Sequence, residues 1–518
     1  MERSGFNNSV VLISFLIISI FIVWGIVFNE QLASITSSIL KTTLVGFDWF
    51  YVSAVFLFLL LVMILPFTKF GKVRLGREDQ RPEFKTGSWI AMLFSAGMGI
   101  GIMFYGVAEP VIHYTSPPVG EPYTENAAKI AMKYSFFHWG VHAWAIYAVI
   151  GLALAYFQYN KQLPALMSSS FYPVLKEKIH GPIGKAIDVF AVTATVFGVA
   201  TSFGLGALQI TSGMESIFSV PKSTTVSVIV ITVTTVLFMI STSTGLKRGI
   251  QFLSNSTVLL SLLLMIIVLL AGPTVTILRV IFSTTGSYIN DFWTMSLRLE
   301  PFHEDTWISS WTVFYWAVWI SWGPAVGMFI ARISRGRTIR EFIFGVLVVP
   351  SLGCFAWFSV FGGTALNLIH QAGKNELALA ITKDVSLALF ELFKYMPFST
   401  VLSVLGFIVI SFYYITLADT STYVLGMISE RGVENPSVLM KITWGVIQAL
   451  VAIALLISGG LETIQTIAVV AALPFTAIII LMCVSFLKGL SENQKREEQY
   501  VTEHTPTEIV KNKGTIKM

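Results

Sequence analysis

Polar residues fall in clusters that separate twelve apolar stretches, read as membrane-crossing helices with ends placed to within a few residues. These run 10–28, 49–67, 88–107, 134–157, 187–206 and 226–240, then 253–280, 306–330, 342–366, 401–428, 442–457 and 464–486. The pattern predicts an all-α polytopic membrane protein with twelve transmembrane helices. Residues 287–298 and 378–395 show helical apolar spacing with polar interruptions, and read as amphipathic helices on the outer surface. The tail from Ser491 is charged and mixed in sign, and reads as a solvated segment rather than a domain.

Three spans depart from plain apolarity. The eighth reads YWAVWISWGPAVG over residues 315–327, with Trp316, Trp319 and Trp322 in a slowly drifting stripe on one side of a helix. Tryptophan in a membrane helix normally sits at the water interface; these lie well inside the span. Gly323-Pro324 removes a backbone donor and is expected to open the helix where the stripe ends. Such backbone is tolerated in a bilayer only under cover of protein or a watery cavity. A pocket for a soft cation and aromatic bulk at a helix contact both fit this stretch. In the third span, SAGMGIGIMFY places Gly97, Gly99 and Gly101 around Met98 at mid-membrane. Close helix packing and an unwound segment whose backbone meets an ion and a carboxylate are both open readings. The fourth span adds Trp139, Trp144 and Tyr147, which share one broad face at about 100° per residue. Facing Trp316, Trp319 and Trp322, they would form an aromatic box. A quaternary ammonium has no N–H to donate, so π-faces are the natural way to hold it.

Charge adds orientation. Lys and Arg concentrate in the even-numbered loops (Lys69 to Lys85, Lys161 to Lys185, Lys247 and Arg248, Arg332 to Arg340, Arg431 and Lys441), which places those loops and both termini in the cytoplasm. A chain 54% hydrophobic and 12% charged fits a plasma-membrane protein and gives no sign of a nucleic-acid partner. The first span is expected to be an uncleaved helix. Cys354 and Cys483 lie in apolar spans without CxxC spacing, so neither a disulfide nor a metal cluster is expected. His138 and His142 have no third ligand nearby and read as hydrogen-bonded helix-contact residues. No metal, cofactor or catalytic set is expected. Three carboxylates reach membrane depth, Glu109, Asp188 and Asp419, and each is a functional candidate by position. Asp419 stands out among the hydroxyls of Thr416, Thr420, Ser421 and Thr422. Its alternative role is a salt bridge to the arginines near Arg332. A membrane enzyme would need a nucleophile–base pair or metal set, which is absent from the pattern. A sensor would need a larger soluble output domain than the tail offers.

Four segments, SAGMGIGIMFYGVAEP, FFHWGVHAWAIYA, FGVATSFGLGALQI and FYWAVWISWGPAVGMFIARISRGRTIREF, closely resemble the betaine/choline/carnitine transporter family. The resemblance implies a leucine-transporter-like fold with a five-plus-five inverted repeat, helices 3–7 over residues 88–282 and helices 8–12 over 306–486. Residues 1–87 would carry the first two helices, 283–305 an interfacial helix and 487–518 a cytoplasmic tail. It further implies homotrimers, alternating access and a quaternary-ammonium osmolyte bound by Trp139, Trp144, Tyr147, Trp319 and Trp322 against Gly97, Met98, Gly99 and Gly101. The coupling-ion set it implies is Ala96, Met98, Thr195, Tyr413 and Thr416, beside the intramembrane Asp419.

Departures from the family pattern refine the expectation. Members favouring choline often carry Asp where this chain has Gly101, so glycine betaine or a related zwitterion is expected over choline, with a choline or carnitine transporter or exchanger as the alternative and ectoine also open. Val318, Gly323 and Ala325 replace the usual Trp, Ser and Phe of the eighth span. Val199 and Leu417 stand where sodium-coupled relatives offer hydroxyls, which leaves Na+ and H+ both open as the coupling cation.

Overall fold

The computed structural model describes residues 8–243, 249–301 and 306–504. Lys247, Arg248 and the end of the charged tail lie outside them. Apart from one isolated bridge between Arg74 and Thr338, the regular elements among the described residues are helical. In chain order they are α1 (Ser9–Val27), α2 (Asn29–Gly46), α3 (Asp48–Ile64), α4 (Thr86–Gly97), α5 (Gly99–Thr115) and α6 (Glu125–Trp139). Next come α7 (Val141–Tyr159), α8 (Tyr172–Leu175), α9 (Pro182–Phe218), α10 (Thr224–Ser243), α11 (Gln251–Ala271) and α12 (Thr274–Ser296). The last are α13 (Phe314–Ile333), α14 (Ile339–Leu366), α15 (Asn375–Lys383), α16 (Ala388–Lys394), α17 (Ser399–Ser429) and α18 (Val438–His504).

Among the described residues, eleven helical segments are long and apolar enough to cross a membrane, and the bent pair α4–α5 makes a twelfth. Each matches one expected span. α18 carries the last two, Val438–Ser458 and Val469–Gln494. Lys441 donates to the Thr242 carbonyl, Lys161 donates to Asn493, and Ser458 reaches Gly25 near the far end of α1. The two spans of α18 therefore run in opposite directions.

Some expectations need correction. Gly323-Pro324 does not open the eighth span, because α13 continues through Pro324. Its irregularity comes earlier, as a π-helical turn at Ser309–Val313. The seventh span ends at Ala271 rather than 280, where Gly272-Pro273 stops α11. The amphipathic segment expected at 287–298 begins earlier, as α12. The one expected at 378–395 is two helices, α15 and α16, separated where Asp384 caps Ser386. α2 was not anticipated, because its polar positions (Ser34, Thr36, Ser37, Ser38, Thr42 and Thr43) hide a helix in a window judged by hydropathy.

The basic loops meet at one end of the bundle. Arg332 donates to Glu83 at 2.8 Å and lies 3.9 Å from Glu434. Arg340 donates to the Pro66 carbonyl, Asn160 to that of Arg74, and the Arg337 guanidinium lies 3.8 Å over the Trp89 ring. Arg332 is 5% exposed, so its charge depends on those partners. Glu83→Ala is expected to cost about 2 kcal/mol, the worth of a hydrogen bond to a charged group. The measurement is a lower apparent Tm of the purified protein in detergent, and an unchanged Tm would show that Glu434 suffices.

Candidate functional site

Met98 stands between α4 and α5 outside helical geometry (φ −123°, ψ −30°). The two pieces are bent 65° to each other. A helix interrupted in this way leaves end-turn amides and carbonyls without intrahelical partners. The glycines around the break also permit close approach. A Cβ on Gly97 would stand 2.6 Å from Trp144 Cη2, and one on Gly101 would stand 2.7 Å from Trp139 Cη2. On Gly99 it would meet Tyr413 at an ordinary 3.4 Å. The packing reading and the interrupted-helix reading of this run therefore both hold, at neighbouring residues.

The fourth span is itself divided. Gly140 (φ −89°, ψ −145°) separates α6 from α7, so Trp139 and Trp144 are not on one continuous helix face. Both rings nonetheless join the same cluster, Trp139 directly against Trp319 and Trp144 through Tyr147. Trp319 is the centre of the cluster. It is edge-to-face with Trp139 at 4.9 Å between centroids, with Trp322 at 6.1 Å and with Tyr147 at 6.3 Å, and near-parallel to Tyr315 at 5.8 Å. Trp144 meets Tyr147 edge-on at 5.7 Å. Tyr105 joins Trp139 and Tyr315 at 6.0 and 5.8 Å. All these rings are buried. Trp319 Nε1 donates to the His138 carbonyl at 3.0 Å, whereas Trp322 Nε1 and the Tyr147 hydroxyl are buried without a protein partner.

Trp316 stands apart from the box expected of it. Its ring lies parallel to His142 at 5.5 Å and edge-on to Phe137 at 5.2 Å. A step of three residues falls about 60° short of a full turn, and that drift carries Trp316 out of the cluster that Trp319 and Trp322 share.

Glu109 organises the other side of the cluster. Trp139 Nε1 and the Tyr315 hydroxyl each donate to its Oε2 at 2.6 Å. His138 Nδ1 and His113 Nε2 lie 2.8 and 3.2 Å from its Oε1. His138 Nε2 also meets Thr312 at 3.0 Å, and His142 Nε2 meets Ser296 at 2.7 Å, so both histidines expected at helix contacts are there. The ligand atoms of Glu109, His113 and His138 lie within 4.8 Å of one another and are, among the described residues, the set that could hold a metal. Their spacing is that of mutual hydrogen bonds. Ligands about 2.1 Å from a tetrahedral centre would stand about 3.4 Å apart.

The ion-coupling candidates are only partly gathered. Ala96 and Met98 are buried at the break, and Tyr413 faces Gly99 across it. Ser261 donates to the Tyr413 hydroxyl at 3.1 Å, and Thr416 donates to the Phe412 carbonyl and lies 3.5 Å from Thr257. Thr195, on α9, is buried with its hydroxyl unpartnered. Asp419 faces α10, accepting from Ser241 at 2.5 Å. It makes no bridge to Arg332, whose carboxylate partners are Glu83 and Glu434. Asp188 accepts from the backbone and hydroxyl of Ser168 at 2.9 and 2.8 Å, which ties the fourth loop to α9.

Tyr105, Tyr315 and the role of Glu109 were not legible as parts of this site. The one signal was the carboxylate at membrane depth.

The sequence profile of the BCCT family, betaine/carnitine/choline family transporters, matches residues 9–495. The glycine betaine transporter OpuD of Bacillus subtilis (strain 168) is 47% identical over 477 residues, 92% of each chain. An ectoine/hydroxyectoine transporter of Virgibacillus pantothenticus is 42% identical over 503 residues, 96% of this chain and 99% of its own. Among solved structures, a Na+-coupled sialic acid symporter in a substrate-bound outward-open state matches with a TM-score of 0.49 at 15% identity, over 84% of this chain and 87% of its own. A twelve-span helical chain matched over nearly its whole length, with its aromatic residues gathered against an interrupted helix, belongs to the betaine/carnitine/choline family and is a transporter rather than an enzyme.

Proposed function

We propose that the chain imports glycine betaine by alternating access across the plasma membrane, as an osmoprotective symporter. The observation that carries this reading is the cluster of Trp139, Trp144, Tyr147, Trp319 and Trp322 seated on the Gly97–Gly101 break. Trimethylammonium is large, weakly hydrated and unable to donate a conventional hydrogen bond. Each desolvated aromatic face is worth about 1–2 kcal/mol to it. The Trp322 indole N–H and the Tyr147 hydroxyl, both unpartnered, are donors suited to the carboxylate of the same zwitterion. In this conformation the rings touch one another, so a guest enters as they part.

Further elements of the reading are a homotrimer, inverted repeats of spans three to seven and eight to twelve, and cytoplasmic termini. The gathering of the basic loops at one end supports the orientation. Coupling is assigned to Na+ or H+ near Ala96, Met98, Tyr413 and Thr416, with Thr195 and Asp419 as further candidates.

The coupling argument is energetic. Glycine betaine is neutral overall, so the membrane potential alone does not concentrate it. A coupled cation contributes about 2.3 kcal/mol per 100 mV, and each tenfold accumulation needs about 1.4 kcal/mol. Proteoliposomes given labelled glycine betaine are therefore expected to accumulate it under an imposed Na+ or H+ gradient and only to equilibrate without either. Failure to accumulate under both gradients would sink the proposal. Ectoine is the second reading, favoured by the 42%-identical relative, and a competition panel of glycine betaine, ectoine, choline and carnitine separates them.

A further inference from the structure

We propose that Glu109 is the positioning residue of the aromatic site: its carboxylate fixes the Trp139 and Tyr315 rings around Trp319 and supplies a negative charge that biases the site toward a cationic head group. The inference rests on the reading of this cluster as the ammonium site.

The accounting of donors carries it. Glu109 is fully buried, yet two groups donate to its carboxylate and two imidazoles stand where they can donate. An indole N–H can only donate, so Oε2 accepts from Trp139, and the Tyr315 hydroxyl donates to the same oxygen. Both imidazoles can donate to Oε1, His113 through Nε2 and His138 through Nδ1. With both imidazoles donating, the carboxylate accepts at every contact, which is the pattern of its ionised form. Burial of that charge is sustained because these contacts are charge-assisted, and roughly twice as strong as neutral ones.

The contacts have a direction. Glu109 is on α5, about three turns beyond the break, Trp139 ends α6, and Tyr315 opens α13. One side chain thus ties together the three elements that frame Trp319. Trp139 and Tyr315 are the rings nearest to Trp319, at 4.9 and 5.8 Å. Losing the acceptor would leave two buried donors unsatisfied and both rings free to rotate. The same charge stands at the hydrogen-bonded edges of these two rings. It strengthens their attraction for a cation and does nothing for a neutral group of the same shape.

The test compares E109Q, Y315F and the double variant with wild type in proteoliposomes, with folding checked by elution profile. W319L serves as the control for the site itself. Glutamine keeps the shape of Glu109, removes its charge and sets an NH2 against one of the donors. E109Q is expected to raise the KM for glycine betaine at least tenfold with Vmax within threefold of wild type. Discrimination against 3,3-dimethylbutanoate, which carries tert-butyl in place of trimethylammonium, should narrow at least threefold. Y315F should raise KM about threefold, and the double variant should be no worse than E109Q, because Tyr315 acts through the same carboxylate. A KM for E109Q within twofold of wild type, unchanged discrimination, or effects that multiply in the double variant would each overturn the assignment. If E109Q does not fold, Y315F decides: a KM within twofold of wild type rejects the proposal. If W319L also keeps its affinity, the aromatic site itself is wrong; if only W319L loses affinity, the site stands and Glu109 has no part in it.

Discussion

Trp319→Leu is expected to raise the apparent KM for glycine betaine about thirtyfold while leaving a folded transporter. The figure is one desolvated cation–π face at about 2 kcal/mol, converted at about 1.4 kcal/mol per tenfold. Trp319 is chosen because it is the one ring in contact with Trp139, Tyr147, Tyr315 and Trp322 together. Leucine keeps the site apolar but removes the π-face and the bond to the His138 carbonyl. Trp316→Leu provides the contrast. That ring stacks on His142, outside the cluster, so the change should lower stability with KM within about threefold of wild type, since no π-face of the site is lost. Equal effects of the two substitutions on KM would mean that the stripe acts as bulk and that the cluster is not the site.

Gly97→Val is expected to reduce transport below about a tenth of wild type even at saturating substrate, because overpacking against a rigid ring forces the backbone or the ring to move. Its Cβ alone would intrude to 2.6 Å on Trp144, which is fully buried and braced edge-on by Tyr147. The ranking within the motif is the sharper check. Gly97→Ala and Gly101→Ala press on Trp144 and Trp139, whereas Gly99→Ala places a methyl at van der Waals distance from Tyr413. Uptake by the three alanine variants, normalised to protein in the membrane, should fall strongly, strongly and little. A severe loss at Gly99 alone would contradict the geometry.

These rankings separate what was legible in the chain from what was not. The box residues Trp139, Trp144, Tyr147, Trp319 and Trp322 stood out because tryptophan and tyrosine inside an apolar span contradict the ordinary preference for the water interface. That contradiction is local and needs no neighbours to be seen. Trp316 carried the same local signal yet belongs elsewhere, since a helical stripe covers more angle than one contact can use. Gly323-Pro324 misled for a related reason. Proline weakens a helix by removing one donor and crowding one carbonyl, but α13 lies buried along this stretch and surrounding helices hold it in line.

The sequence by itself determined the spans, the clustering of basic loops between them, and the residue types at the site. Each of these follows from transfer free energies and helical periodicity along one chain, which act residue by residue. Only the tertiary structure decided that Glu109 holds Trp139 and Tyr315, that Asp419 turns to Ser241 rather than Arg332, and that Gly97 and Gly101 press on different rings. Those outcomes depend on which side chain satisfies which buried donor across helices far apart in the chain. In a bilayer each helix satisfies its own backbone, so the polar side chains are left to choose partners among whichever neighbours the packed bundle brings near.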